Sequence, residues 1–249
     1  MRAALFLLTL VWLSPPALST SYTFYGFEYA PFSMAGDDDQ NRGPYADLIR
    51  AFCQQQAYDC QVYYVPWRRA EKTARESDTL HGLFPLSKNA EREEWLYYSK
   101  PFLTTGRGFY TLGNAQEINS LDDFEGHTIT TFGPSNTARI MAKHLEAVDD
   151  VSISLETSMD ISVTKFIHGR YGAKSALYGN IDVVQYLLEQ QDFAGAKLAY
   201  ITKKYTLFLT FPRHTTSAAL VDEFNAFIDQ YMASGQMTEL LEVYHLQLH

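Results

Sequence analysis

Positive charge is scarce in this sequence. Lys and Arg number 20 against 29 Asp and Glu, a formal net charge of -9 over 249 residues. An acidic chain is poorly suited to neutralising nucleic-acid phosphates or docking on anionic lipid. Its basic pairs, Arg68-Arg69 and Lys203-Lys204, are isolated, so nucleic acid is not expected as a partner. Long apolar runs are missing beyond residue 13, and no later segment is built to span a bilayer. Enzyme signatures are missing as well: there is no His-Glu-x-x-His, no Gly-x-Ser-x-Gly and no phosphate loop. The seven histidines are scattered. His245 and His249 are four apart, but at a carboxyl end where fraying is expected rather than a metal. The polar stretch at residues 36–43 lacks the ligand spacing and distant Glu of a calcium loop and reads as a solvated turn. No metal and no cofactor are expected, and no sequence block repeats.

What remains is an ordinary globular composition, 46% hydrophobic, long enough for one large domain or two lobes. The first residues read as an export signal. Arg2 supplies a positive start, residues 3–13 an apolar stretch, Ser14-Pro15-Pro16 a break, and Ala17-Leu18-Ser19 the small residues that a signal peptidase reads. Cleavage is expected after Ser19, and the lack of a following Cys argues against a lipoprotein anchor. Export gives meaning to the only cysteines, Cys53 and Cys60. An oxidising compartment favours pairing them across a helix-to-strand turn; two buried thiols are the alternative.

Strands and helices alternate along the chain, which argues an α/β architecture. Residues 21–29, rich in Tyr and Phe, read as a first strand. Pro44 opens a helix with the apolar face Leu48, Ile49, Phe52 and Cys53. Residues 61–65 read as a strand, 68–77 as a short helix and 82–86 as a strand, with a helical turn from Asn89. Residues 108–112 read as a strand crossing to a second unit. That unit holds a strand at 126–132, a helix opened by residues 133–137, a helix ending near His168, a strand at 175–178 and a helix at 181–189. A strand at 205–211 and helices from Ser217 and around Met237 close the chain.

Three short motifs carry the functional signal. Leu86-Ser87-Lys88-Asn89-Ala90-Glu91-Arg92 is followed seven residues later by Ser99-Lys100-Pro101-Phe102. Upstream lie Glu28-Tyr29-Ala30-Pro31-Phe32 and Pro66-Trp67-Arg68-Arg69-Ala70. Their order and spacing resemble the periplasmic solute-binding proteins of family 3, the type that serves polar amino-acid uptake, in a proteobacterial branch with a Pro-Trp-x-Arg-Ala motif. The resemblance covers nearly the whole chain after residue 20. It implies a two-lobed type II periplasmic binding fold with two crossing hinge strands, near Phe109-Tyr110 and residues 201–205. Lobe 1 is then residues 20–109 and 204–249, and lobe 2 residues 110–203. A Cys53–Cys60 disulfide is implied too, since several family members carry one at this spacing.

A guanidinium matches a carboxylate with two parallel hydrogen bonds. The resemblance gives Arg92 that role, helped by donors at Ser87 and Asn89, the latter standing where Thr is usual. Taken alone, Arg92 reads as a surface residue paired with Glu91 or Glu93, worth under about 1 kcal/mol. Tyr29 and Trp67 match the aromatic positions that sandwich a ligand's side chain; core packing is the alternative. Glu28 is either a binding acid or a salt-bridge partner of Arg69. From lobe 2, Gly133, Ser135 and Asn136 bring a helix amino terminus toward an anionic group, while capping by Ser135 or Asn136 is compatible with that role. The family's ammonium-binding acid falls at Asn180, with Tyr178 nearby. A neutral amide cannot match a carboxylate against a desolvated ammonium, which puts a standard α-amino acid in doubt. Asp182 restores the charge if the register slips by two residues.

The implied function is capture of a small carboxylate-bearing metabolite, an amino acid or a relative, by a periplasmic monomer that serves an inner-membrane ABC permease or a sensor. The rival is an enzyme on the same fold, similar to cyclohexadienyl dehydratase, with Glu28 as its acid.

Overall fold

The computed structural model describes residues 20–36, 41–113 and 115–247. The export signal expected at residues 1–19, the centre of the polar turn at 37–40, and His249 lie outside the described residues. Among the described residues no helix is long and apolar enough to cross a membrane.

The chain opens with β1 (Ser21–Gly26), α1 (Pro44–Gln56), β2 (Asp59–Tyr64), α2 (Trp67–Glu76) and β3 (Gly82–Ser87). The short α3 (Ala90–Trp95) and β4 (Leu96–Tyr98) follow, and β5 (Thr104–Leu112) carries the chain into its second half. There β6 (Thr128–Phe132), α4 (Asn136–His144), β7 (Ser152–Glu156), α5 (Met159–Ile167), β8 (Ser175–Asn180) and α6 (Ile181–Gln190) alternate. Return is along β9 (Ala196–Pro212), and α7 (Ala218–Ala233) and α8 (Gln236–Glu242) complete the first half.

The strands lie in the order β2-β1-β3-β9-β5-β8-β6-β7, with β4 also on β9. Each half has its own parallel set, β2-β1-β3 and β8-β6-β7. Helical crossovers make such parallel pairs possible. Antiparallel β5 and β9 run between the two sets. The 17-residue β9 changes partner along its length: Ala196 to Thr206 pair with β5, and Leu207 to Pro212 with β3 and β4. The buried cores divide in the same way. Phe24, Phe52, Phe84 and Leu103 pack with Leu209 and Phe224, whereas Phe109, Phe124, Met141 and Tyr178 form a separate cluster. This is the two-lobed α/β fold expected, with two crossing strands.

Local chemistry explains the elements. Pro44 starts α1 where a missing N–H costs nothing. β3 is almost wholly buried because it lies between β1 and β9. Gly82 admits the Phe24 ring; a Cβ there would sit 2.4 Å from it. Cys53 at the end of α1 is bonded to Cys60 in β2, across a Cα separation of 6.1 Å. The thiol alternative is thereby set aside, and closing so short a loop stabilises the fold by about 2.5 kcal/mol on the chain-entropy argument. Strand structure extends beyond the sequence expectation at β4, at β7, at residues 104–107 of β5 and at residues 196–200 of β9. β7 is a short Ser-Ile-Ser-Leu-Glu edge, and the start of β9 is lysine-bearing and largely exposed, so neither presents the apolar run of a buried strand.

Candidate functional site

One side of the seam between the halves is built where β3 ends. Asn89 is extended and caps α3, its Oδ1 accepting from the Arg92 N–H at 2.8 Å. That tight turn folds Arg92 back on its own strand. Its Nη1 donates to the Ser87 carbonyl at 3.0 Å, and its guanidinium lies 5.2 Å from the Trp67 ring. Phe27 then packs edge-on against Trp67 at 5.2 Å and lies 6.1 Å from Tyr29. Three motifs distant in sequence therefore meet in one row, Arg92–Trp67–Phe27–Tyr29. Phe27 was not singled out, since nothing in the sequence separates it from the other aromatics of the first strand.

The carboxylates beside Arg92 are engaged elsewhere. Glu91 pairs with Arg75 at 2.6 Å and Glu93 with Lys88 at 2.8 Å. Among the described residues Arg92 has no carboxylate partner, and the Ser87 hydroxyl has no hydrogen-bond partner. Glu28 is exposed and, with Pro66 and Trp67, lines a cavity of about 360 Å³. It does not pair with Arg69, which is exposed.

On the facing side, α4 begins at a Ser135 cap. Ser135 Oγ accepts from the Ala138 N–H at 3.0 Å and donates to the Phe132 carbonyl at 2.7 Å. Gly133 is buried, and a Cβ there would meet Leu155 at 3.0 Å. Trp67 and Arg68 of α2 face Ser135, Asn136 and Arg139 of α4 across a cavity of about 850 Å³. This cavity joins residues of both halves.

Deeper in the seam, Asn180 is 4% exposed and fully committed. Its Oδ1 caps α6 through the Asp182 and Val183 N–H groups, each at 3.0 Å. Its Nδ2 donates to Thr105 Oγ1 at 2.8 Å and to the Tyr205 hydroxyl at 2.7 Å. Both amide hydrogens are used. Thr105 in turn donates to the Asp182 carboxylate. Burial pushes the Asp182 carboxyl above the usual range, and the Thr105 hydrogen bond partly offsets this. The Tyr29 hydroxyl reaches the same group from the other half. Burial raises it well above the ordinary phenol range, neighbouring Tyr205 adds to the rise, and Arg107 opposes it. Arg107 stacks on Tyr205 at 4.3 Å. Thr105, Arg107 and Tyr205 carried no sequence signal, because only the β5–β9 register brings Thr105 opposite Tyr205.

Tyr178 lies elsewhere. Its ring is buried in one cluster with Met141 and Leu145 at α4, lies 4.6 Å from Phe109, and its hydroxyl is 3.0 Å from that of Thr202. It is a core residue of the second half and not part of the seam surface.

Residues 25–247 match the family described as bacterial extracellular solute-binding proteins, family 3. No curated protein sequence matches the chain. Among solved structures, the probable amino-acid ABC transporter extracellular-binding protein YtmK from Bacillus subtilis aligns with a TM-score of 0.77 at 14% identity, covering 91% of this chain and 97% of that one. An ancestral cationic amino acid solute-binding protein, AncCDT-1, gives 0.75 at 15% identity over 90% and 95%. The second substrate-binding domain of Lactococcus lactis GlnP, in its open conformation, gives 0.72 at 18% identity over 93% and 97%. At such identities the likeness is one of fold.

Proposed function

The chain belongs to family 3 of the bacterial extracellular solute-binding proteins, and from that premise we propose that it captures a small carboxylate-bearing metabolite between its lobes, in the periplasm, for an ABC permease or a sensor. The observation that carries this reading is Arg92. It is half-buried beside an indole, both neighbouring carboxylates are bonded to other cations, and one guanidinium donor is taken by the Ser87 carbonyl. A rigid donor fork left in that condition suits an incoming carboxylate. Ser87 supplies a free hydroxyl beside it, and Trp67 a flat apolar wall. We take residues up to about Leu103 and from about Leu207 as one lobe, because β9 changes partner there.

A ligand that touches both lobes favours the closed arrangement in proportion to its differential affinity, and closure is what a membrane partner can read. A catalytic reading, dehydratase-like with Glu28 as its acid, has only the likeness of fold behind it. The test is calorimetric titration of the purified chain with amino acids and small carboxylates. Saturable binding that weakens more than tenfold in Arg92→Ala, with an unchanged circular dichroism spectrum, is the expected result. Unchanged affinity removes Arg92 from the site.

A further inference from the structure

The cavity of about 850 Å³ that Trp67 shares with α4 has a definite chemistry. Its floor is apolar. Ile153 and Leu155 project from the same face of β7 and remain 45% and 49% exposed, beside Ala138 and Ala142. Its charges are mostly of one sign. Arg68 enters from α2 and Arg139 from α4, and neither has an ion-pair partner among the described residues. Glu71 is the one lining carboxylate, and it lies 3.6 Å from Arg75. Arg92 does not itself line the cavity, but its guanidinium lies 5.2 Å from the ring of Trp67, which does. In a chain of net charge -9, two guanidinium groups in the cavity and a third on its indole make a local anion-attracting field. The half-buried acid of the seam, Asp182, accepts from Thr105 and does not line this cavity. A zwitterion needs one cation and one anion from the protein; this cavity offers two unpaired cations and apolar surface, and its carboxylate, Glu71, is paired with Arg75.

Resting on the reading of Arg92 as the carboxylate anchor, we infer that the ligand class is a dicarboxylate with an apolar middle. One carboxylate sits on Arg92, the chain lies along Trp67, Ile153 and Leu155, and the second carboxylate sits on Arg139 of the opposite lobe. Apolar walls with a few convergent charges set orientation in this way. Because its two ends hold different lobes, such a ligand binds the closed form more tightly than the open one.

The experiment is calorimetric titration of the purified chain with straight-chain α,ω-dicarboxylates from succinate to azelate, with the monocarboxylates of equal carbon number, and with glutamine and arginine. At least one dicarboxylate is expected to bind tenfold or more tightly than its monocarboxylate. Arg139→Gln is expected to erase that advantage by weakening the dicarboxylate, and Arg139→Lys to keep most of it. Arg92→Ala weakens both. The inference is overturned if glutamine or arginine binds more tightly than every dicarboxylate, or if Arg139→Gln leaves dicarboxylate affinity unaltered. In either case an Arg92→Ala effect keeps the broader carboxylate reading. If no carboxylate binds and Arg92→Ala changes nothing, both readings fall.

Discussion

The two sides of the seam use their polar atoms differently. On the β3–α3 side, Arg92 lacks a carboxylate and the Ser87 hydroxyl is free among the described residues, although acids stand on either side of the arginine. On the α4–α6 side, Ser135 and Asn180 are saturated by caps and by bonds between strands. A buried polar group left unpaired costs stability, so most are satisfied within the fold. Donors left over on a half-buried wall are the ones free to meet a solute. The contrast separates residues that hold the seam together from those that the proposed function turns toward a solute.

The comparison can be broken first at Asn180. Asn180→Ala removes the α6 cap and two donors from a buried cluster, and a loss of about 2–4 kcal/mol is expected in urea unfolding. A loss near zero would mean the cluster is not structural. Arg92→Ala is expected to leave unfolding within about 0.5 kcal/mol of the parent while costing carboxylate affinity about 1.5–3 kcal/mol; a large drop in stability would move Arg92 to the structural side. The two serines sharpen the same contrast. Ser135→Ala should cost about 1 kcal/mol of stability through its lost cap. Ser87→Ala should leave stability unchanged and weaken carboxylate binding by about two- to tenfold. Reversal of that pattern would reverse the assignment of the two sides.

The smallest effect concerns pH. The folded Asp182 pKa lies above its unfolded value because burial disfavours the carboxylate. Its contribution is therefore most favourable below the unfolded value of about 3.9 and is lost as pH rises through the raised folded value. Asp182→Asn removes this term. The stability gap between variant and parent should be absent at the acid end and grow toward a plateau at neutral pH, with the variant the more stable. A gap that shrinks on raising the pH would show Asp182 to be held by a cation.

Much of the fold was legible because its cues are local. Pro44 at a helix start, the helix-to-strand interval between Cys53 and Cys60, and the alternating βαβ pattern each depend on a few neighbouring residues. Of the candidate site, the sequence singled out Arg92, Trp67 and Tyr29, which come together in one row with Phe27; their part in binding is the proposal made above. Tyr178 was placed near the ligand because only packing shows its ring buried with Phe109, Phe124 and Met141. Asn180 read as a replaced binding acid, whereas its hydrogen bonds make it the knot of the seam.

The amino-acid sequence alone was enough for the α/β alternation, the pairing partners available to the two cysteines, and the short Ser87-x-Asn89-x-x-Arg92 motif on which the proposed carboxylate anchor rests. Short-range geometry encodes all three. Only the tertiary structure decided which donors stay free and which are consumed. The bonds that consume them join Asn180 to Thr105 and Tyr205, and Glu91 to Arg75. Partners so far apart in the chain are chosen by strand register and packing, which no local pattern records.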